Sequence, residues 1–98
     1  MIRHTVVFSL KYLPGSQEEK DFFEAAARLA GIPGVEKFES LGQVSMKNKY
    51  SFGLSMEFAN PGKYEAYNRD ALHTRFIEEY WLKAVSDFME IDYEIMNN

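Results

Sequence analysis

From Tyr50 to Phe58 the chain reads YSFGLSMEF, with Tyr50, Phe52, Leu54, Met56 and Phe58 interleaved without a break with Ser51, Gly53, Ser55 and Glu57. A period of two is the mark of a strand that buries one face. The same period recurs at both ends of the chain, and helix-period segments lie between; that order limits the fold more than any other feature. From Ile2 to Tyr12 the even positions Ile2, His4, Val6, Phe8, Leu10 and Tyr12 are mainly apolar, against Arg3, Thr5, Val7, Ser9 and Lys11, so His4 lies on the apolar face. From Met89 to Ile95, Met89, Ile91, Tyr93 and Ile95 alternate with Glu90, Asp92 and Glu94. A fourth, less regular strand is expected from about Val35 to Met46, followed by the polar turn Lys47-Asn48-Lys49.

The helical segments carry start and stop signals. Leu13-Pro14-Gly15-Ser16 ends the first strand, and Ser16 with Glu19 forms a capping-box pattern that opens a helix through Phe22, Phe23, Ala26 and Leu29. Gly31 stops it, just before the Pro33-Gly34 turn. Asn60-Pro61 pairs a capping residue with a first-turn proline and opens the second helical region.

The resulting order, strand, helix, strand, strand, helix, strand, predicts an α+β, ferredoxin-like βαββαβ fold: a four-stranded antiparallel sheet with helices on one face. A chain of 98 residues fits one domain over 1–98, because a single core organises roughly 100–200 residues. In this topology the first and last strands are antiparallel neighbours. The apolar faces of all the strands are expected beneath the helices, with Arg3 and Lys11 sharing the opposite surface with Glu90, Asp92 and Glu94. Thr5, Val7, Ser9, Ser51, Gly53 and Ser55 are mostly small and weakly polar, which suits either water or a second sheet, and the pattern alone does not choose.

Composition narrows the functional classes. The absence of cysteine removes thiolate chemistry and cysteine metal sites. A net charge of −4 with no basic patch argues against a nucleic-acid partner, which calls for clustered Lys and Arg. No run approaches the ~18 apolar residues of a membrane span, and MIRHTVVFSLKY reads as a strand and not a leader, so the expectation is a cytoplasmic protein without a membrane partner. The sequence carries no cofactor motif and no metal-ligand spacing such as HExxH.

Chemistry based on histidine must use His4 or His73, the only two in the chain. His73 sits in AYNRDALHTRFIEEYW, Ala66 to Trp81, three residues after Asp70, which can cap a second helical segment. It is either the polar edge of a core stripe that continues through Phe76, Ile77, Tyr80 and Ala84, or a base facing a pocket. His4 is likewise either a hydrogen-bonded core residue or a pocket group. Tyr64, Tyr67, Tyr80 and Trp81 are first of all packing residues, and Glu18-Glu19 and Glu78-Glu79 read as solvated helix faces.

The opening IRHTVVFSLK, the segments IPGVEKFE and YSFGLSMEF, the AYNRDALHTRFIEEYW helix and the closing IDYE together resemble the stress-responsive α/β-barrel domain family, known as Dabb. The likeness runs over nearly the whole chain and is carried chiefly by His73-Thr74-Arg75-Phe76 and Asp92-Tyr93-Glu94. It implies a homodimer in which two sheets pack into a dimeric α+β barrel through the Thr5/Val7/Ser9 and Ser51/Gly53/Ser55 face. The family includes a plant olivetolic acid cyclase that closes a polyketide ring by aldol condensation, and its catalytic histidine and tyrosine match His73 and Tyr67. Its first-strand histidine matches His4, and a further pocket histidine falls on Phe52. Family members commonly carry His-Pro before the helix histidine, where this chain has Asp70-Ala71.

Six residues along one straight helix would set Tyr67 and His73 about 120° apart at ~100° per residue, so they converge only if the helix breaks near Asn68 to Asp70. Two functional readings follow from the resemblance. The first is a dimeric barrel of no assignable reaction that binds a small apolar or aromatic metabolite between sheet and helices, with His4, Phe52, Tyr80 and Trp81 as binding residues. The second is a cyclase- or isomerase-like enzyme, or a monooxygenase-like one, with His73 as base and Tyr67 holding a developing oxyanion.

Overall fold

A computed structural model describes residues 1–96. Strand β1 spans Ile2–Leu10, helix α1 Gln17–Ala27, strand β2 Glu36–Gly42 and strand β3 Phe52–Phe58. The second helical region is broken into α2 (Pro61–Arg69), α3 (Ala71–Phe76), a π-helical turn (Ile77–Trp81) and the short α4 (Leu82–Ala84), and strand β4 covers Val85–Glu94. The four strands form one antiparallel sheet in the order β2-β3-β1-β4. That is the ferredoxin-like arrangement, with the first and last strands side by side.

The helix signals act where the sequence places them. Ser16 accepts from the Glu19 backbone N–H, while the Glu19 side chain reaches the backbone N–H of Gly15, one residue short of a strict reciprocal box. Asn60 accepts from the Lys63 N–H ahead of Pro61. Asp70 leaves the helical region of backbone space, at φ −65° and ψ 137°, and accepts from the Leu72 N–H at 2.8 Å. It therefore ends one helix and caps the next.

Strand ends differ from the sequence expectation for one reason: a strand runs only as far as it has a partner. β2 stops at Gly42, opposite Phe52, and not at Met46; it also carries an irregularity between Glu36 and Glu39, with Lys37 at φ 51°. β4 begins at Val85, four residues before Met89, because Leu10 pairs with Val85; it ends at Glu94 opposite Ile2, which leaves Ile95 outside the strand.

The face assignment of β4 requires a correction. β1 and β4 pair as His4↔Asp92, Val6↔Glu90 and Phe8↔Phe88, so Asp92 and Glu90 lie on the helix side with His4 and Val6. Residues paired directly across an antiparallel ladder share a face. Met89, Ile91 and Tyr93 therefore lie with Val7, Thr5 and Arg3 on the open face, where Met89 and Tyr93 remain 46% and 49% exposed. The apolar stripe of β4 is not beneath the helices, and Arg3 does not face the β4 acids. Its guanidinium instead holds Glu57 on β3, at 2.5 and 3.1 Å to one carboxylate oxygen.

Phe8, Phe22, Phe58, Leu29 and Met56 are sealed between β1/β3 and the helices. Phe8 contacts Phe22, Phe52 and Trp81 at ring-centroid distances of 5.1 to 5.9 Å, which ties sheet, α1 and the π-helical turn into one aromatic cluster. Among the described residues, no helix is long and apolar enough to cross a membrane.

Removing the Asp70 cap should loosen the break between α2 and α3. Asp70→Ala is expected to lower stability by about 1 kcal/mol, read from the midpoint of urea unfolding. An unchanged midpoint would mean that the break is held by packing alone.

Candidate functional site

β1 and β4 extend under α2, α3 and the π-helical turn, and the space between them is not filled. A cavity of about 260 Å³ lies there, lined mainly by apolar side chains such as Val6, Leu54, Met56, Phe76 and Trp81. Its polar lining is His4, Tyr67, His73 and Glu90. The volume is just under the ~300 Å³ at which pockets begin to hold drug-sized ligands, so it suits one ring with a short substituent.

His4 comes from the apolar face of β1 and is buried. Its Nδ1 lies 2.6 Å from Asp92 Oδ1, and the Tyr64 hydroxyl donates to Asp92 Oδ2 at 2.9 Å. The same hydroxyl oxygen lies 2.9 Å from His4 Nδ1. A carboxylate has no proton to give, so Nδ1–H is the donor. Asp92 thus fixes the plane of the ring. Burial, and then the hydrogen bond and charge of Asp92, hold the Tyr64 phenol well above its ordinary pKa, so it stays a donor.

Tyr67 ends α2 and His73 begins α3, and the break at Asp70 brings their rings to 4.5 Å between centroids. The Tyr67 ring also lies 6.2 Å from the His4 ring, so Tyr67 neighbours both histidines. Tyr67 is only 2% exposed, and its hydroxyl has no hydrogen-bond partner among the described residues. No side-chain polar atom sealed from solvent lacks a partner among those residues, so this hydroxyl opens on the cavity. Burial, reinforced by the charge of Glu90, raises the Tyr67 pKa well beyond its usual value. Burial lowers that of His73, partly offset by the Asn68 backbone carbonyl and the nearby acids. At neutral pH the pair is therefore an uncharged imidazole beside an uncharged phenol.

Of the residues singled out in sequence, His4, Tyr67, His73 and Trp81 come together around this cavity. Phe52 and Tyr80 do not. Phe52 packs on the helix side at the start of β3, beneath α1 and against Phe23, 4.9 Å away, and Tyr80 stacks on Phe76 at 6.0 Å outside the cavity. Tyr64, Asp92 and Glu90 escaped the sequence reading. Tyr64 lies three residues before Tyr67 on one helix face, a usable signal. Asp92 and Glu90 were assigned to the wrong side of the sheet, and only the register exposes them. Among the described residues, no group of three or more His, Asp or Glu is placed to hold a metal ion.

Comparison with known proteins agrees with this architecture. The model of the stress responsive A/B barrel domain, Dabb, matches residues 2–95. A Dabb-family protein with a ferredoxin-like fold from Mesorhizobium loti is 46% identical; the alignment covers 98% of this chain and 97% of that one, with a TM-score of 0.94. A dimeric ferredoxin-like protein of unknown function from Bacteroides fragilis shares the fold at 22% identity, 96% and 95% coverage and a TM-score of 0.74. A hydroxynitrile lyase from Passiflora edulis does so at 12% identity, 99% and 94% coverage and a TM-score of 0.86. No curated protein matches the sequence. The full-length family match and the 46% identical relative place this chain in the stress-responsive A/B barrel (Dabb) family.

Proposed function

We propose that this protein is a homodimer that binds a small apolar or aromatic molecule in the cavity between sheet and helices. The observation that carries the binding reading is the Tyr67 hydroxyl, which has no protein partner among the described residues and opens on an otherwise apolar cavity beside His73 and His4. A hydroxyl so placed takes its hydrogen bond from whatever occupies the cavity, an arrangement that serves a ligand better than packing. Leu82 and Phe88, 65% and 50% exposed, also line the cavity and mark its opening.

The dimer reading rests on the open face of the sheet. Met89, Ile91 and Tyr93 add an apolar stripe to Thr5, Val7, Gly53 and Ser55, a surface suited to a second sheet. The Bacteroides fragilis relative described as dimeric has the same fold.

A second reading, a cyclase- or isomerase-like or monooxygenase-like enzyme, is favoured by the neutral His73 against Tyr67. An imidazole that is unprotonated at pH 7 can take a proton from carbon, and the phenol O–H can hold the oxygen on which charge develops. Asp92 holds the His4 ring in place beside this pair.

Binding is testable with the single tryptophan, Trp81, which lines the cavity. Titration with 4-propylphenol is expected to change Trp81 fluorescence saturably, and Tyr67→Phe to weaken the affinity about 5- to 20-fold through one lost hydrogen bond. No saturable change in the wild type would defeat the binding reading. His73→Gln keeps a hydrogen-bonding group but no base at neutral pH, so under the enzymatic reading it abolishes turnover while leaving the fold intact.

The His73 ring should titrate, by NMR, below the ~6.5 of a free histidine. Because its folded-state pKa is the lower one, the unfolded chain binds more protons below that value. The contribution of His73 to stability is thus constant above about pH 6.5 and falls as the pH drops below it. A midpoint at or above the free value would contradict the buried, neutral ring.

Light scattering at micromolar concentration should return twice the mass of one chain, and Met89→Lys, at an exposed position, should return one mass with the fold retained. A wild-type monomer would remove the dimer reading.

A further inference from the structure

We infer that Glu90 selects the ligand by charge, so that the cavity takes a neutral or cationic molecule carrying a hydrogen-bond donor and rejects carboxylates and other anions. This rests on the cavity being a binding site and adds the chemical class of what it holds.

The polar lining of the cavity is one carboxylate, two histidines and a phenol, with no lysine or arginine. Glu90 stands opposite Val6 on the helix side of β4, is solvent-exposed, and lines the cavity together with Phe88 and Leu82, which flank its opening. Among the described residues Glu90 has no salt-bridge or hydrogen-bond partner, whereas Asp92, two residues along on the same face, is engaged by His4 and Tyr64. Its charge is therefore not neutralised locally. Its field reaches the interior, since it raises the pKa of both Tyr67 and His73.

An anion entering by this route passes the carboxylate and then meets an interior with little to compensate it. Two unit charges a few ångströms apart at the effective dielectric of a protein surface interact by amounts worth a tenfold change in affinity or more. Desolvating an unpaired carboxylate adds to the penalty. The Glu90 carboxylate, an acceptor only, is matched instead by a ligand that brings O–H or N–H donors.

The test uses three probes of one shape at pH 7.5 and low salt: 4-propylphenol, which is neutral, 4-propylbenzylamine, a cation, and 4-propylbenzoate, an anion. Each is titrated into the full chain and into Glu90→Gln while Trp81 fluorescence is followed. In the wild type the benzoate should bind at least about tenfold more weakly than the phenol, and the gap should narrow with added salt. Glu90→Gln, an isosteric change at an exposed position, should bring the benzoate to within about threefold of the phenol and weaken the amine. Equal binding of phenol and benzoate by the wild type, or a gap unchanged in Glu90→Gln, overturns the charge selection and leaves the binding reading standing. No saturable binding of any probe overturns both.

Discussion

The pairing of β1 with β4 is the constraint on which the rest of this molecule depends. By setting His4 opposite Asp92 and Val6 opposite Glu90, it puts two carboxylates on the helix side of the sheet. One of them orients a buried histidine and the other lines the cavity. The same pairing sends Met89, Ile91 and Tyr93 to the open face. A slip of one residue would exchange these sets completely, because strand side chains alternate with a period of two. The electrostatics of the cavity and the apolar character of the outer sheet surface are thus two results of one register.

The second organising feature is the interruption of the helical region after β3. A continuous helix would point Tyr67 and His73 in different directions. The extended backbone at Asp70, capped by its own side chain, turns α3 so that the two rings meet at 4.5 Å. The π-helical turn that follows carries Trp81, which joins Phe8 and Phe88 and forms part of the cavity wall. Irregular helix of this kind often accompanies functional sites, because it re-aims side chains that regular periodicity would direct elsewhere.

Burial then gives the assembled groups their chemical character. Tyr67 and His73 are driven in opposite directions, the phenol up and the imidazole down, and burial is the principal cause in each case. Both changes favour the neutral form, as desolvation requires. The outcome is a donor and an acceptor side by side in an apolar cavity, with charge confined to Glu90 in the lining and Asp92 behind His4.

Most of the fold was legible along the chain. The alternation of β1 and β3 and the Ser16, Asn60 and Asp70 caps are local features, set by backbone geometry within a few residues, and the structure follows each of them; the first helix leaves α geometry earlier than the Gly31 stop suggests, after Ala27, and reaches Gly31 as a 3-10 turn. His4 on the apolar face of β1 and the need for a break before His73 were legible in the same way. The two faces of β4 were not. Its alternation is as clean as that of β3, but periodicity states only that two faces differ, not which one the helices cover. Hydrophobicity alone favours covering Met89, Ile91 and Tyr93, which would leave Glu90 and Asp92 on the polar surface beside Arg3 and Lys11. What decided the matter was the partner strand: at an edge of the sheet the helix side is only partly covered, and His4 and Tyr64 offer Asp92 two hydrogen bonds. The sequence by itself determined which segments are strands and helices and where each begins to turn, because those signals are short-range. Which residues share the cavity, and what charge it carries, was decided by tertiary structure, because it depends on a register between strands at opposite ends of the chain, which no local pattern encodes.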